Sequence, residues 1–488
     1  MARSGRFGKL GLMLGVMLAL VLLPEAGWCA GDLHLHGSDL NTTILGFLPV
    51  WIIPFVCMLL SIAIGPLAVP HFWEHHFGKV AVFWGLAFLV PCGIVFGAEV
   101  ALYQAWHALT LEYMPFIILL FALFTVAGGV RLKGSLVGTP VVNTGLLLVG
   151  TILASWMGTT GAAMLLIRPL LRANEHRKYR VHSVVFFIFL VANIGGSLTP
   201  LGDPPLFLGF LRGVPFFWTT THMLPEMLFM AAILLSVFFV VDTVLYKKEG
   251  SPVPPPSVNT GEKLGLEGKV NLLLLLGVIG AVLMSGSSWN PGEIEIYHVV
   301  MDIKNLLRDL ILLCIAGLSW KLTSRESRRL NGFNWHPIME VGKLFFGIFL
   351  SMIPAIAILQ AGKEGVLAPV INMVTDSATG QPIDYMYFWL TGLLSSFLDN
   401  APTYVVFFNT AGGNVSLLTG ELASTLTAIS AGAVFMGANT YIGNAPNFMV
   451  RSIAENQGVK MPSFFGYMAW SVGILIPCFI LATLVFFV

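Results

Sequence analysis

Asp203 and Asp399 are the residues whose chemistry needs explaining, because each sits in a Gly/Pro-interrupted polar motif within an otherwise apolar stretch. An ionised carboxylate at membrane depth costs several kcal/mol unless a cation, a proton or a hydrogen-bond donor compensates it. Desolvation favours the neutral carboxyl, so protonation and cation binding become alternatives at one site. A cation leaving water needs oxygen ligands, which unwound backbone carbonyls, hydroxyls and amides can supply. Thr160, Thr199, Asn400, Thr440 and Asn444 stand beside the two carboxylates and complete that inventory. The expected cation- and proton-binding set is therefore Asp203, Asp399, Asn400, Thr199, Thr440 and Asn444, with Asp203 and Asp399 as the sodium ligands. Asn400 and Asn444 also fit a scaffold role, as amides that stitch the breaks together.

The motifs recur. Ser155, Trp156, Met157, Gly158, Thr159, Thr160 and Gly161 return 241 residues later as Ser396, Phe397, Leu398, Asp399, Asn400, Ala401 and Pro402. Gly196, Thr199, Gly202, Asp203, Pro205 and Phe207 return at the same offset as Gly437, Thr440, Gly443, Asn444, Pro446 and Phe448. Either break alone could be a kink or a capped helix end. Recurrence in register points instead to a duplicated transporter, with Ser155, Thr159, Thr160, Ser396, Gly202, Gly443, Pro205 and Pro446 supporting the site.

Elements that could hold such motifs must lie in a bilayer. Of the 488 residues, 56% are hydrophobic and 10% charged, a composition no soluble domain could shield from water. Apolar spans are expected near 46–68, 80–98, 113–130, 182–213, 223–246, 270–288, 305–321, 342–361, 421–455 and 464–488. The spans at 182–213 and 421–455 are too long for one straight crossing and contain Gly/Pro breaks, so they read as broken helices. Two further stretches, 137–169 and 383–411, are interrupted at Gly158–Gly161 and Asp399–Pro402 and read as re-entrant hairpins. The expected fold class is an all-α polytopic membrane protein of two inverted repeats, each with five transmembrane spans, one of them broken, plus a helical hairpin.

Residues 1–30 carry Arg3, Arg6 and Lys9 ahead of an apolar run, which reads as a signal peptide or an N-terminal hydrophobic anchor. The first repeat then covers 46–246, a Pro-rich linker 247–269, and the second repeat 270–488. With the mature N-terminus outside, 19 Lys and Arg fall in loops placed inside, against Arg212, Lys304, Arg308 and Lys363 outside. That bias fixes a cytoplasmic linker and a periplasmic mature N-terminus.

The remaining charges read as incidental. Glu99, Glu226 and Asp242 fall toward span ends, where solvation is cheap, and His71, Glu74, His75 and His76 read as a solvated inside loop. The five cysteines lie in apolar stretches without metal-site spacing and read as buried thiols. A net charge of +1 without a basic patch argues against nucleic acid as a partner. No P-loop, HExxH, GxSxG or Rossmann fingerprint is present, so no enzyme is expected, no cofactor is called for, and ion gradients are the energy source.

At Ala192–Asp203 and Leu394–Thr403 the sequence resembles the ion transporter superfamily, most closely its NhaD-type sodium/proton antiporters, which are related to citrate, dicarboxylate and arsenite carriers. The resemblance implies an elevator-like carrier of the bacterial inner membrane, often a homodimer, exchanging Na+ for H+ across the lipid bilayer. The family's acidic sites carry over to Asp203 and Asp399. Where such antiporters follow Gly-Asp with hydroxyl residues, this chain has Pro204-Pro205-Leu206-Phe207, which removes possible ion ligands. The alternative is a sodium- or proton-coupled transporter of citrate or another carboxylate.

Overall fold

A computed structural model describes residues 33–44, 48–134, 136–252 and 264–488. The expected leader at 1–30 and most of the Pro-rich linker lie outside the described residues. The described chain is helical apart from three short antiparallel strand pairs. One of these joins Arg131–Lys133 to Gly265–Glu267, so the segment after the linker docks beside the end of an early helix.

Seven helices among the described residues are long and apolar enough to cross a membrane. Their outward faces carry large apolar side chains such as Ile94, Val141 and Phe465, each at least 70% exposed. Surface of that kind is stable against lipid, not water. The chain is thus a polytopic all-α membrane protein.

Local chemistry explains several helix boundaries. The expected loop at 69–79 is helical, because Pro70 opens Pro70–Val95 at a position where its missing N–H costs nothing. His71, Glu74, His75 and His76 therefore ride on the first turns of that helix. The expected gap between 98 and 113 is also helical. Ala98–His107 runs through a π-helical stretch, Ala108–Tyr113, into Met114–Ala127. The wider turn lies just before Pro115, whose ring and absent N–H a regular α-turn would not accommodate. Cys314, expected to be buried, is exposed, while Cys92 and Cys478 are buried.

Both interrupted hairpins form. The first comprises Pro140–Met157 and Thr159–Ala173, which pack against each other and part at Gly158. Gly158 has φ +81°, a left-handed conformation that favours glycine. The second comprises Asp384–Phe397 and Asn400–Thr410, parted at Leu398–Asp399. Both long spans break as expected. Val181–Leu190 gives way to a 3-10 turn at Ile194–Ser197 and resumes as Pro204–Leu211. Ala423–Met436 likewise passes through Gly437–Asn439 to Ala445–Asn456. Buried residues of the two halves, such as Phe186 and Val434, share one continuous apolar core.

Candidate functional site

The crossing of the four interruptions starts from two helix openings. Asp203 and Asn444 occupy the residue just before Pro204–Leu211 and Ala445–Asn456, both with extended backbone and neither capping its own helix. Their side chains are therefore free to reach across. Proline at the first or second position of each helix fixes φ without wasting a donor. Thr159 and Asn400 are the first residues of the second legs of the two hairpins.

Asp203 joins all four. Its carboxylate is 1% exposed, and Oδ1 accepts hydrogen bonds from Thr159 Oγ1 at 3.1 Å and from Asn444 Nδ2 at 3.2 Å. Oδ2 accepts from Asn400 Nδ2. One carboxylate thus receives a donor from each hairpin and from the opposite broken helix. Four helix N-termini also meet here, and their partial positive charge stabilises an anion. No lysine or arginine contacts the carboxylate among these partners.

Asn400 is fully buried, and its Oδ1 has no hydrogen-bond partner. An orphaned buried amide oxygen is costly and calls for an explanation. Rotating the amide would exchange a donor for an acceptor facing Asp203. That arrangement suits a protonated carboxyl, or a cation seated between the two oxygens.

The two threonines of the breaks hold backbone. Thr199 Oγ1 donates to the Ser155 carbonyl and accepts from Leu201 N at 3.2 Å. Thr440 Oγ1 donates to the Ser396 carbonyl at 2.5 Å and accepts from Gly443 N at 3.1 Å. Each pins a broken helix to its own hairpin in the same way. Ser155 Oγ donates to the Gly195 carbonyl at 2.5 Å, and Ser396 Oγ to the Gly392 carbonyl at 2.7 Å. The glycines permit close approach. A Cβ on Gly202 would stand 2.1 Å from the Gly196 carbonyl oxygen, and one on Gly443 would stand 2.6 Å from that of Gly437. Thr159 N donates to the Gly202 carbonyl at 2.8 Å, closing the first hairpin on its broken helix.

Asp399 stands apart from this ring. It is half-buried at the hairpin tip, where Oδ1 accepts from Ala401 N at 3.0 Å and caps Asn400–Thr410. Thr160 is half-buried beside Thr159, on the second leg of the first hairpin.

Two site residues escaped the sequence reading as site residues. Asn193 Nδ2 donates to Asn447 Oδ1 at 2.7 Å, while Asn193 Oδ1 accepts from Asn444 Nδ2 at 3.2 Å. Asn447 Nδ2 in turn donates to the carbonyls of Gly437 and Thr440, at 2.8 and 2.9 Å. A chain of amides thus links Asp203 to the backbone of the second break. Repeat counterparts could not reveal it, since Val434 and Leu206 stand 241 residues from these two.

Asp242 corrects the expectation that it is cheaply solvated. It is wholly buried, with Oδ1 2.5 Å from Arg177 Nη1 and 2.8 Å from His182 Nε2, and Oδ2 accepting from Asn143 Nδ2 at 2.8 Å. Asn143 also exchanges hydrogen bonds with Asn174, so the cluster ties both ends of the first hairpin to the long helix Trp218–Lys248.

Residues 46–487 match the model of a family described as "Putative citrate transport". An uncharacterized transporter of Mycobacterium bovis is 24% identical over 332 residues, covering 66% of this chain and 72% of the relative. An uncharacterized transporter of Mycobacterium tuberculosis matches to the same extent. With interrupted helices enclosing a buried polar site in a multi-pass membrane chain, and a family match across nearly all of it, the protein belongs to this citrate-transport family and is a membrane transporter.

Proposed function

We propose that the protein is a secondary active transporter that exchanges sodium for protons at Asp203 by alternating access. The observation that carries this reading is the buried carboxylate ringed by Thr159, Asn400 and Asn444, with no basic side chain bonded to it among the described residues. Such a group reaches a neutral state by taking up a proton or a cation, so the two compete for it. Asn400 follows the exchange by turning its amide, offering Nδ2 to the ionised carboxylate and Oδ1 to the protonated or sodium-bound one. Asn444 supplies a second amide, and Thr199 and Thr440 hold the unwound backbone that contributes carbonyls. Asp399 adds negative charge at the tip of the second hairpin. The reading takes the two halves as inverted repeats whose hairpins close on the site from opposite faces.

A second reading, sodium- or proton-coupled carriage of citrate or another carboxylate, is favoured by the family match and by the four helix N-termini at the site. In that case Asp203 binds the coupling ion, and the organic anion sits against the hairpin tips.

Sodium-induced proton movement in proteoliposomes, followed with a pH-sensitive dye, separates the two. Exchange predicts a sodium-dependent signal without citrate. A signal that appears only when citrate is added selects the second reading, and wild-type exchange in Asp203→Asn overturns both.

A further inference from the structure

Away from Asp203, a cavity of about 250 Å3 opens between the second leg of the first hairpin and the turn that follows Arg325–Leu330. Arg131, Arg168, Arg172 and Arg329 line it, and among the described residues that line it none is acidic. Four guanidinium groups around so small a space repel one another, and an anion among them would offset that cost.

Local structure gathers these groups from separate parts of the chain. Arg168 and Arg172 lie four residues apart on Thr159–Ala173, hence on one helix face. Arg131 comes from the strand paired with Gly265–Glu267, and Arg329 from the last turn of Arg325–Leu330. Arg131 is matched by Glu267 at 2.9 Å and Arg329 by Glu326 at 2.7 Å, and Arg172 Nη2 donates to the Leu132 carbonyl at 3.1 Å. Arg168 is not so matched: its Nη1 is buried and has no hydrogen-bond partner. Its guanidinium occupies the space left by Gly332, where a Cβ would stand 2.2 Å from Arg168 Nη2. Arg168 lines the cavity with bonding capacity its protein partners do not use, so its guanidinium can take an acceptor placed there.

We propose that this cavity is an anion site that binds a phosphate group, carried by an anionic lipid headgroup or by a soluble phosphate monoester. The planar fork of Arg168 suits two parallel bonds to phosphate oxygens, and the other guanidiniums supply charge. The volume lies below the roughly 300–1,000 Å3 of sites for drug-sized ligands, which fits a headgroup-sized anion. An occupant would bridge the first hairpin to Arg131 and to the Arg329–Gly332 turn, and so restrain the hairpin that supplies Thr159. The site does not depend on what the transporter carries.

The test uses the full-length protein in neutral detergent, with thermal unfolding and native mass spectrometry as readouts. Phosphatidylglycerol forms the lipid arm, and glycerol 3-phosphate with inorganic phosphate forms the soluble arm. Raised thermal stability in one arm supports the site and identifies the source. Arg168→Gln is expected to weaken that binding at least about tenfold, since a charge-assisted bond is lost. Arg329→Gln alters a 74% exposed side chain and serves as the variant that folds regardless, with a smaller loss of binding expected. No shift in either arm, or equal shifts in wild type and both variants, overturns the proposal.

Discussion

Replacing Asp203 with asparagine should abolish transport while leaving the fold nearly intact, and the hydrogen bonds around it give the reason. Three donors converge on the carboxylate, from Thr159, Asn400 and Asn444. Asparagine keeps one oxygen, which can retain the bonds from Thr159 Oγ1 and Asn444 Nδ2. Its new amide would face Asn400 Nδ2, but rotation of Asn400 presents Oδ1, the atom now without a partner. The exchange makes all three charge-assisted bonds neutral but also removes the cost of burying a charge, so the net change is on the order of one hydrogen bond, about 1 kcal/mol. Leucine at 203 leaves the Thr159 and Asn400 donors buried and unsatisfied, while Asn444 Nδ2 keeps the Ala192 carbonyl and Asn193 Oδ1. At about 1–3 kcal/mol each, that costs about 2–6 kcal/mol, a large share of a typical folding free energy. The assay pairs thermal unfolding in detergent with transport in proteoliposomes. Asp203→Asn should melt within a few degrees of wild type and carry nothing, while Asp203→Leu should not accumulate. Wild-type transport by Asp203→Asn would refute the reasoning, as would equal loss of stability in both variants.

Three further outcomes follow from the same geometry. Gly202→Ala, whose Cβ would press on the Gly196 carbonyl, should lose folded protein, whereas Gly145→Ala, with open space around it, should be neutral or slightly stabilising in its helix. Fluorescence-detected size exclusion separates the two. Thr199→Val and Thr440→Val each remove an equivalent tie between a broken helix and its hairpin, so both should lower stability by a similar amount, about 1–2 kcal/mol. Thermal melts that differ widely between them would contradict that equivalence. Asp242→Asn leaves the Arg177 guanidinium with Glu249, at 3.5 Å, as its remaining counter-charge and should cost about 1–3 kcal/mol. The double change Arg177→Met with Asp242→Leu should recover part of that loss, as read from yield in the membrane fraction.

The positions of both breaks were legible because Gly, Pro, Thr and Asn recur in register at one offset. Thr159, Asp203, Asn400 and Asn444, which meet, all lie within the repeated motifs, but so do Asp399 and Thr160, which stand outside that ring, so recurrence marked the motifs and not the contacts. Partners outside the repeat stayed hidden. Asn193 and Asn447 have apolar counterparts in the other half, so duplication carried no signal for them. Asp242 looked solvated because hydropathy sees only chain neighbours, whereas Arg177 and His182 reach it from 65 and 60 residues away. The segment 98–113 looked like a loop because Glu99, Gln104, His107 and Glu112 interrupt its apolar run. Arg212 meets Glu112 at 2.9 Å, a pairing local composition does not disclose.

The central claim is that a proton and sodium compete for one carboxylate, and calorimetry in buffers of different ionisation enthalpy tests it most directly. Sodium titrated into purified wild-type protein should release a proton from the site on binding, with neither heat nor release in Asp203→Asn. Sodium binding without proton release, or release that persists in Asp203→Asn, would contradict the account.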